Sequence, residues 1–360
     1  MIKKIKIFHI IGSMEIIAGT ENFLINLLNE NNSRYENYFI LLKKKNDLKN
    51  RLKKNIKIKT FELDNPISFF INFTKLIIFL FKKKPKIIYS WLYHANFVTL
   101  FLRPIFKGKK ILWNIRHSKI DRFHSIKSYI SFKFCEKISS FIPNKIIYNS
   151  YTAKKMHEKS GYNKSKSLVI LNGVKKNRLL KSKFKNKIYL GMASRWHKDK
   201  NHFNFFSAIK KINDNKLYLI LCGKNIDKKN YQLISMIKKL GIKNYLLLGE
   251  LKQMKKYFGK IDINCLSSNT ESLPNIILES MSYGIPSIST NVGDVKKIMM
   301  NTGEVVPPNN SNALLKALRK LIKERNNSSK KWNLRKKKCY YIAQKYFNFK
   351  KVIIKFNKFV

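Results

Sequence analysis

The sequence predicts an α/β protein of two domains, each with a parallel sheet and helices on both of its faces. Short apolar runs of strand length alternate with longer segments whose apolar residues recur at helical spacing. The alternation restarts after 175–187, a basic stretch with little periodicity that is typical of a linker. The length of 360 residues also favours two cores over one.

The first half opens with a strand, a glycine-containing loop and a helix, the order that begins nucleotide-binding α/β units. Its strands are predicted at 3–11, 38–42, 56–61, 86–90, 109–115, 145–149 and 167–171. Its helices are predicted at 20–31, 66–84, 125–140 and 151–159. We therefore expect an N-terminal domain at 1–174.

The second half repeats the pattern. Its strands are predicted at 188–192, 217–221, 245–248, 261–266, 286–290 and 303–308. Its helices are predicted at 202–212, 231–240, 275–283 and 311–324, and they are followed by an amphipathic tail at 340–360. We expect a C-terminal domain at 175–340.

The segment 66–84 is unusually rich in aromatic and branched apolar residues and ends in three lysines. The apolar part is about 15 residues long and contains Asn72 and Lys75, so it is too short and too polar to span a bilayer, which needs roughly 20 apolar residues. Two interpretations stay open. The segment is either an interfacial helix with its lysines at the lipid headgroups or a helix buried on the sheet.

The formal net charge of +55 predicts attraction to polyanions such as nucleic acid, an anionic membrane or phosphorylated substrates. Lysine is spread over the whole chain together with abundant Asn and Ile, which indicates a compositional bias and argues against a specific nucleic-acid site. The hydrophobic content of 44% argues against disorder.

The four cysteines, Cys135, Cys222, Cys265 and Cys339, lie far apart in sequence. This spacing favours reduced cytosolic thiols over a disulfide framework or a zinc site. The chain begins directly with a strand-like segment, so we expect no signal peptide and a cytoplasmic protein.

The stretch 267–293 reads as strand end, loop, helix, turn and strand, and it carries two carboxylates. Glu271 lies in the loop, and Glu279 lies eight residues later inside the helix. A helix start offers free N–H groups and a positive dipole end, so a phosphate would fit between the two acids. The residues alone leave open whether these carboxylates bind hydroxyl groups or are solvated surface acids.

This stretch resembles the donor-site motif of retaining family 4 glycosyltransferases, which have the GT-B fold. The motif stands here as Glu271-Ser272-Leu273-Pro274-Asn275 and then Glu279, with Ser272 in place of the family's usual Gly. The likeness continues through 281–286 and 292–293. It implies two Rossmann-like domains facing across a cleft, with a C-terminal helix at 341–360 that crosses back to the first domain. The alternative for this tail is a second segment that contacts the membrane.

The resemblance also implies roles for residues elsewhere in the second half. In 193–202, Arg195 and Lys200 match the family's Arg and Lys that bind the donor diphosphate. Gly223 matches a glycine-rich turn near the nucleotide. The donor-binding residues implied in this way are Gly19, Arg195, Lys200, Gly223, Glu271, Ser272, Leu273, Pro274, Asn275 and Glu279.

The first half would bind the acceptor. Gly19 lies in Ala18-Gly19-Thr20-Glu21, which resembles the family's Gly-Gly-Ala-Glu loop. His117 follows a predicted strand, where the family has a His facing the reacting sugar, and Arg116 precedes it. His94 lies in a Trp-x-Tyr-His stretch at 91–94 that resembles family members with sugar-lipid acceptors. Taken alone, each His is equally compatible with a structural role.

The implied reaction moves a sugar from a nucleotide-sugar, expected to be a UDP-sugar, to a hydroxyl group with retention of the anomeric configuration. His117, Glu271, Arg195 and Lys200 are the predicted catalytic residues. No Asp-x-Asp motif occurs, so we expect no metal and no cofactor. The expected acceptor is a lipid-diphosphate-linked glycan at the inner face of an anionic cytoplasmic membrane, in the synthesis of a surface polysaccharide, lipopolysaccharide or glycoprotein glycan.

Two alternatives remain at the level of sequence. One is another GT-B enzyme, either a nucleotide-sugar epimerase or a transferase with a soluble acceptor. The other is a basic polyanion-binding protein without enzymatic activity, which would need a concentrated basic face with exposed stacking aromatics.

Overall fold

The structure, a computed structural model, describes residues 4–14, 19–30, 34–43, 51–118, 126–181, 186–212 and 214–360. Parts of the predicted segments lie outside this range: residue 3 of the first strand, residues 15–18 of the following loop, residue 31 of the first helix, Ser125, and residues 182–185 of the linker. Internal contacts divide the chain into two compact units, Met1–Asn172 with Lys351–Val360, and Gly173–Lys350.

The first unit is built on a seven-stranded parallel sheet. Its strands are β1 (Ile5–Ile11), β2 (Tyr35–Leu41), β3 (Lys57–Thr60), β4 (Ile87–Trp91), β5 (Lys110–Ile115), β6 (Lys145–Tyr148) and β7 (Ser167–Val169). They lie in the order β3-β2-β1-β4-β5-β6-β7. Every residue of β4 is buried, as expected for a central strand covered on both faces.

In the part of the first unit that the structure describes, five helices connect these strands. They are α1 (Gly19–Glu30), α2 (Phe69–Lys83), α3 (Leu92–Leu102), α4 (Ile126–Ile138) and α5 (Tyr151–Ser160). The helix α3 is absent from the sequence prediction. It follows β4 without a polar loop or a capping side chain, because Leu92 makes the turn with a left-handed backbone at φ 67°. Neither of the usual signals for a helix start is therefore present.

The second unit repeats the architecture with six parallel strands. These are β8 (Ile188–Ala193), β9 (Leu217–Cys222), β10 (Tyr245–Leu247), β11 (Ile263–Leu266), β12 (Ser287–Thr290) and β13 (Glu304–Val306), in the order β10-β9-β8-β11-β12-β13. The helices are α6 (His202–Lys210), α7 (Tyr231–Lys239), α8 (Lys255–Phe258), α9 (Asn275–Ser282), α10 (Val295–Met299), α11 (Ser311–Asn327) and α12 (Ser329–Tyr346). The predicted α/β class with two parallel-sheet domains is confirmed.

The end of the chain differs in detail from the expected helix at 341–360. The helix α12 continues to Tyr346, and a separate helix, α13 (Phe349–Asn357), follows it. The last ten residues belong to the first unit. There Tyr89 donates a hydrogen bond to the carbonyl of Phe356 at 2.9 Å, and the Phe356 ring stacks on Trp91.

Candidate active site

The strand order of the second sheet marks one crevice as the place for a ligand. Strand β8 lies beside β11, and the chain leaves this pair in opposite directions, toward β10 on one side and β13 on the other. Open α/β sheets bind ligands at such a switch point, outside the carboxyl ends of the strands. The loops that leave these two ends are 194–201 and 267–274, the loops that carry most of the predicted donor residues.

Hydrogen bonds hold these two loops together. The Ser267 hydroxyl donates to the carbonyls of Lys200 and Asn201, at 3.0 and 2.9 Å. The backbone N–H of Asn269 donates to the carbonyl of Asp199 at 2.7 Å. The backbone that carries Lys200 is therefore fixed against the backbone that leads to the donor motif.

An ion pair joins two of the predicted catalytic residues across these loops. Lys200 Nζ lies 2.5 Å from Glu271 Oε1, and the two side chains are 21% and 15% exposed. The hydroxyl of Ser268 also donates to Glu271 Oε1, at 2.8 Å. Folding therefore brings a positive and a negative group together at the switch point, although they are 71 residues apart in the sequence.

The helix α9 begins directly after Glu271 and its neighbours. Pro274 stands at the N-cap, where its ring offers no capping hydrogen bond, and Asn275 is the first helical residue. The N-terminal end of this helix, with its positive dipole, therefore adjoins the loop that carries Glu271. The predicted helix 275–283 is confirmed to within one residue, and Gly284 follows it with a left-handed φ of 70°.

Glu279 differs sharply from Glu271 in its surroundings. It lies half-buried in the middle of α9, and its carboxylate forms no hydrogen bond or ion pair with the residues that the structure describes. Burial raises the pKa of Glu279 to about 7. A carboxylate that has lost water and gained no donor from the protein is well suited to accept hydrogen bonds from a ligand.

Two glycines allow backbone segments to approach around this site. A Cβ on Gly223, which has φ +140°, would lie 2.1 Å from the carbonyl oxygen of Ser194. A Cβ on Gly293, at φ +55°, would lie 2.3 Å from the carbonyl oxygen of Ser272 and 2.7 Å from that of Glu271. Gly223 was a predicted site residue, whereas Gly293 and its support of the donor loop were not.

The remaining predicted residues of the second unit lie in the same two loops. Arg195 is exposed, and its guanidinium forms no hydrogen bond or ion pair within the described ranges. Ser272 is not among the described non-glycine residues with positive φ, so this loop accommodates a serine in place of glycine without left-handed strain. Its carbonyl accepts a hydrogen bond from the N–H of Asp294 at 3.2 Å. Leu273 is buried and fixes the loop to the core.

In the first unit, the adjacent residues Arg116 and His117 point in different directions after β5. His117 is exposed, and its ring lies 6.5 Å from that of Tyr93. Arg116 is buried, with its guanidinium 3.7 Å from the centre of the Phe23 ring and one N–H donating to Asn172. Its Nε and Nη2 have no partner among the described residues, and burial lowers the pKa of Arg116 to about 9.

His94 lies at the switch point of the first sheet, where β1 and β4 are neighbours. A Cβ on Gly12, just after β1, would lie 3.9 Å from the Cβ of His94. The His94 ring shares hydrogen bonds with Ser131 at 3.1 Å and with Ser128 at 3.4 Å. Partial desolvation and the nearby lysines lower the pKa of His94. Gly19 is the first residue of α1, and Ala18 of its predicted motif lies outside the described ranges.

Comparison with known proteins is consistent with the likeness seen in the motifs. The model of the family described as Glycosyl transferases group 1 matches residues 175–339. The matched residues lie within the second unit. The match covers the two site loops, α9 and both glycines described above.

Solved structures share the architecture over nearly the whole chain. Anabaena Alr3699/HepE, solved in complex with UDP, has a TM-score of 0.83 at 17% identity and is covered over 99% of each chain. The lipopolysaccharide outer core galactosyltransferase WaaB, in its apo form, has a TM-score of 0.75 at 18% identity over 98% of each chain. At these identities the likeness establishes the fold, which is that of GT-B glycosyltransferases.

A relative from Klebsiella pneumoniae is similar in sequence. It is described as an uncharacterized 41.2 kDa protein in the cps region, and it is 24% identical over 275 residues. The similarity covers 71% of this chain and 73% of the relative.

Proposed function

We propose that this protein is a retaining, metal-independent glycosyltransferase that moves a sugar from a UDP-sugar to a hydroxyl group of a glycan. The observation that carries the proposal is the set of groups at the switch point of the second sheet. There the Lys200–Glu271 pair lies beside the start of α9, and the half-buried Glu279 lies within α9. The structures of HepE in complex with UDP and with UDP-glucose support the choice of donor.

The difficult step is departure of the nucleoside diphosphate while positive charge develops at the anomeric carbon. Fixed positive groups lower this barrier if they already face the leaving oxygen. Lys200, Arg195 and the N–H groups at the start of α9 would supply that charge. Arg195 is exposed and can form a bidentate hydrogen bond with a phosphate, whereas Lys200 provides a point charge that the ion pair with Glu271 holds in place.

The two glutamates would bind different hydroxyl groups. Glu279 would accept hydrogen bonds from the ribose, which would replace the water that its carboxylate has lost. Glu271 would bind hydroxyls of the transferred sugar and keep Lys200 directed toward the diphosphate. In this proposal the bond from the anomeric carbon to the phosphate oxygen breaks, the bond to the acceptor oxygen forms on the same face, and the departing phosphate oxygen takes the acceptor proton.

The first unit would supply the acceptor contacts through His94 and His117, which are exposed, and Arg116, which would position the strand end from its buried site. We propose a lipid-diphosphate-linked glycan as the acceptor and a peripheral location on the inner face of the cytoplasmic membrane. The cps-region relative and the lipopolysaccharide galactosyltransferase support a place in surface-glycan synthesis.

The donor proposal is tested by thermal unfolding with UDP, GDP, ADP and their sugars in the presence of EDTA. A ligand at about 100 times its Kd adds about 2.7 kcal/mol to the native state. We expect a rise in Tm of about 2–4 °C with UDP and its sugars that EDTA does not abolish. No shift with any nucleotide in folded protein would refute the donor site, and turnover of a UDP-sugar without an acceptor would instead indicate an epimerase.

A further inference from the structure

The exposed side of α2 is apolar in a chain that is otherwise covered with lysine. Phe70 is 79% exposed, Ile71 is 60% exposed and Ile78 is 47% exposed. Phe70, Ile78 and Phe81 lie with Thr74 at intervals of four, four and three, so they form one stripe along the helix whose single polar member is Thr74. The opposite side buries Leu76 and Leu80 in the core, so the outer stripe is not needed to hold the helix in place.

This apolar side continues without interruption onto α3 and α4. The Phe73 ring contacts that of Phe101 at 5.6 Å, Phe101 contacts Phe97 at 5.7 Å, and Phe97 contacts Phe134 of α4 at 5.3 Å. On α4 the exposed residues 126, 130 and 134 are spaced by four and are all apolar. We call this continuous surface the three-helix apolar face, defined by Phe70, Ile71, Ile78, Phe101, Ile130 and Phe134.

Lysines border the face and leave its centre apolar. On α2, Lys75 and Lys82 lie along one edge of the exposed stripe, and Lys84 follows the helix end. On α4, the exposed Lys127 and Lys137 flank the stripe. Apolar side chains that enter the acyl region with cations at the headgroups are the arrangement of helices that lie in the plane of an anionic bilayer.

We propose that the three-helix apolar face docks on the surface of an anionic lipid bilayer, with α2 and α4 lying in its interface. Within the described ranges, no helix is long and apolar enough to cross a membrane, and the 15 residues of α2 correspond to about 22 Å. A second copy of this chain is a poorer occupant, because two-fold pairing of the face would bring its lysine borders against each other.

The position of His94 links this docking to the proposed function, and this link rests on the proposed role of His94 in binding the acceptor. His94, a proposed acceptor residue, shares a hydrogen bond with Ser131, the neighbour of Ile130 on α4. Docking through Ile130 would therefore place His94 close to the headgroup layer. A lipid-linked acceptor could then reach it without leaving the membrane.

The docking itself is tested by single cysteines that carry an environment-sensitive fluorophore. The four native cysteines are buried, so a cysteine introduced at Ile71 or Ile130 can be labelled selectively. With vesicles of phosphatidylcholine and about one third phosphatidylglycerol, we expect a blue shift at both positions. A label at Phe203 on α6, which is 59% exposed, is the control and should not shift. Equal shifts at all three positions, or none at 71 and 130, would overturn the proposal.

A second measurement separates this face from the general attraction of a chain with net charge +55. The triple variant Phe70→Ser, Ile71→Ser and Ile130→Ser keeps every charge, and Phe203→Ser is its matched control. We expect the triple variant to lose at least about tenfold in partition onto the same vesicles, while the control binds like the wild type. Unchanged partition of the triple variant would refute docking through this face. A wild-type dimer that the triple variant dissociates would assign the face to a second copy. UDP binding by the triple variant should be unchanged, so the donor site is tested separately.

Discussion

Replacing Glu279 with glutamine should stabilise the protein above pH 7 and weaken its binding of UDP at the same time. The side chain is half-buried in α9, and the described residues donate no hydrogen bond to it. Glutamine has nearly the same shape and carries no charge. The substitution therefore removes the cost of desolvating a carboxylate without opening a cavity.

The magnitude follows from the pKa of this group. Burial raises it from 4.5 to about 7. At about 1.4 kcal/mol for each tenfold change in proton affinity, the ionised form is disfavoured by about 3 kcal/mol. Partial exposure reduces this figure, and we expect about 2 kcal/mol.

The sign depends on pH. Below pH 4.5 the carboxyl is protonated in both the native and the unfolded chain, so it costs nothing. Between pH 4.5 and about 7 only the unfolded chain loses the proton, and stability falls as the pH rises. Above about pH 7 the cost is complete. The gain in unfolding free energy from Glu279→Gln should therefore be less than about 1 kcal/mol at pH 5 and about 2 kcal/mol at pH 8.

The opposite effect is expected for the ligand. A hydrogen bond to a charged group contributes about 1.5–3 kcal/mol, so loss of the carboxylate should weaken UDP binding by about 10- to 100-fold. Urea unfolding at pH 5 and pH 8 measures the first effect, and titration calorimetry with UDP measures the second. Glu250→Gln removes one negative charge from an exposed position of the same unit and is the control for both.

Each measurement can refute a different part of the reasoning. If glutamine at 279 brings no stabilisation at pH 8 beyond that of Glu250→Gln, the carboxylate is not desolvated. If the variant binds UDP as tightly as the wild type, the ribose assignment is wrong, whatever the stability data show.

Three further predictions concern the second unit. Gly293→Ala should lower the transfer rate at least about tenfold, because the new Cβ would lie 2.3 Å from the carbonyl oxygen of Ser272. Gly241→Ala is the control, because Gly241 also has a left-handed backbone, at φ +68°, but nothing lies within 4 Å of the new Cβ. The control should lose only about 1 kcal/mol of stability through backbone strain and keep its transfer rate. Equal rates for the two variants would contradict this. Lys200→Met should lower the initial rate of sugar transfer by about 10²–10³-fold through loss of the charge facing the diphosphate, and a loss below about threefold would remove it from the catalytic set. Arg325→Met should lower the urea unfolding free energy by about 3–5 kcal/mol, because it removes the cation that lies 3.1 Å from the buried carboxylate of Asp262 and leaves that carboxylate with the N–H of Tyr189 as its hydrogen-bond donor. The double variant with Asp262→Asn should recover part of that loss, and no recovery would show that the ion pair is not the cause.

The local patterns of the sequence were sufficient for the strands and most helices. Every predicted strand corresponds to a strand of the structure, because a short apolar run in an α/β chain usually forms a buried strand. The helix α3 was missed because its start depends on the left-handed turn at Leu92. A leucine rarely adopts that conformation, so the residue type gives no signal for it.

The sequence did not predict which of two neighbouring side chains faces the core. Arg116 and His117 were predicted together as acceptor residues, yet successive side chains of an extended chain point to opposite sides. One of them is buried over Phe23 and the other is exposed. Nothing in the local pattern indicates which of the two faces the core.

The sequence by itself determined the α/β architecture, its repetition in a second unit, and the placement of Glu271 in a loop and Glu279 in the following helix, because these are encoded in the local spacing of apolar and polar residues. The tertiary structure alone decided that Glu271 pairs with Lys200 while Glu279 stays without a protein partner among the described residues. It also joined three separate helices into one apolar face. These features arise from contacts between segments far apart in the chain, where burial and charge depend on what folding brings alongside.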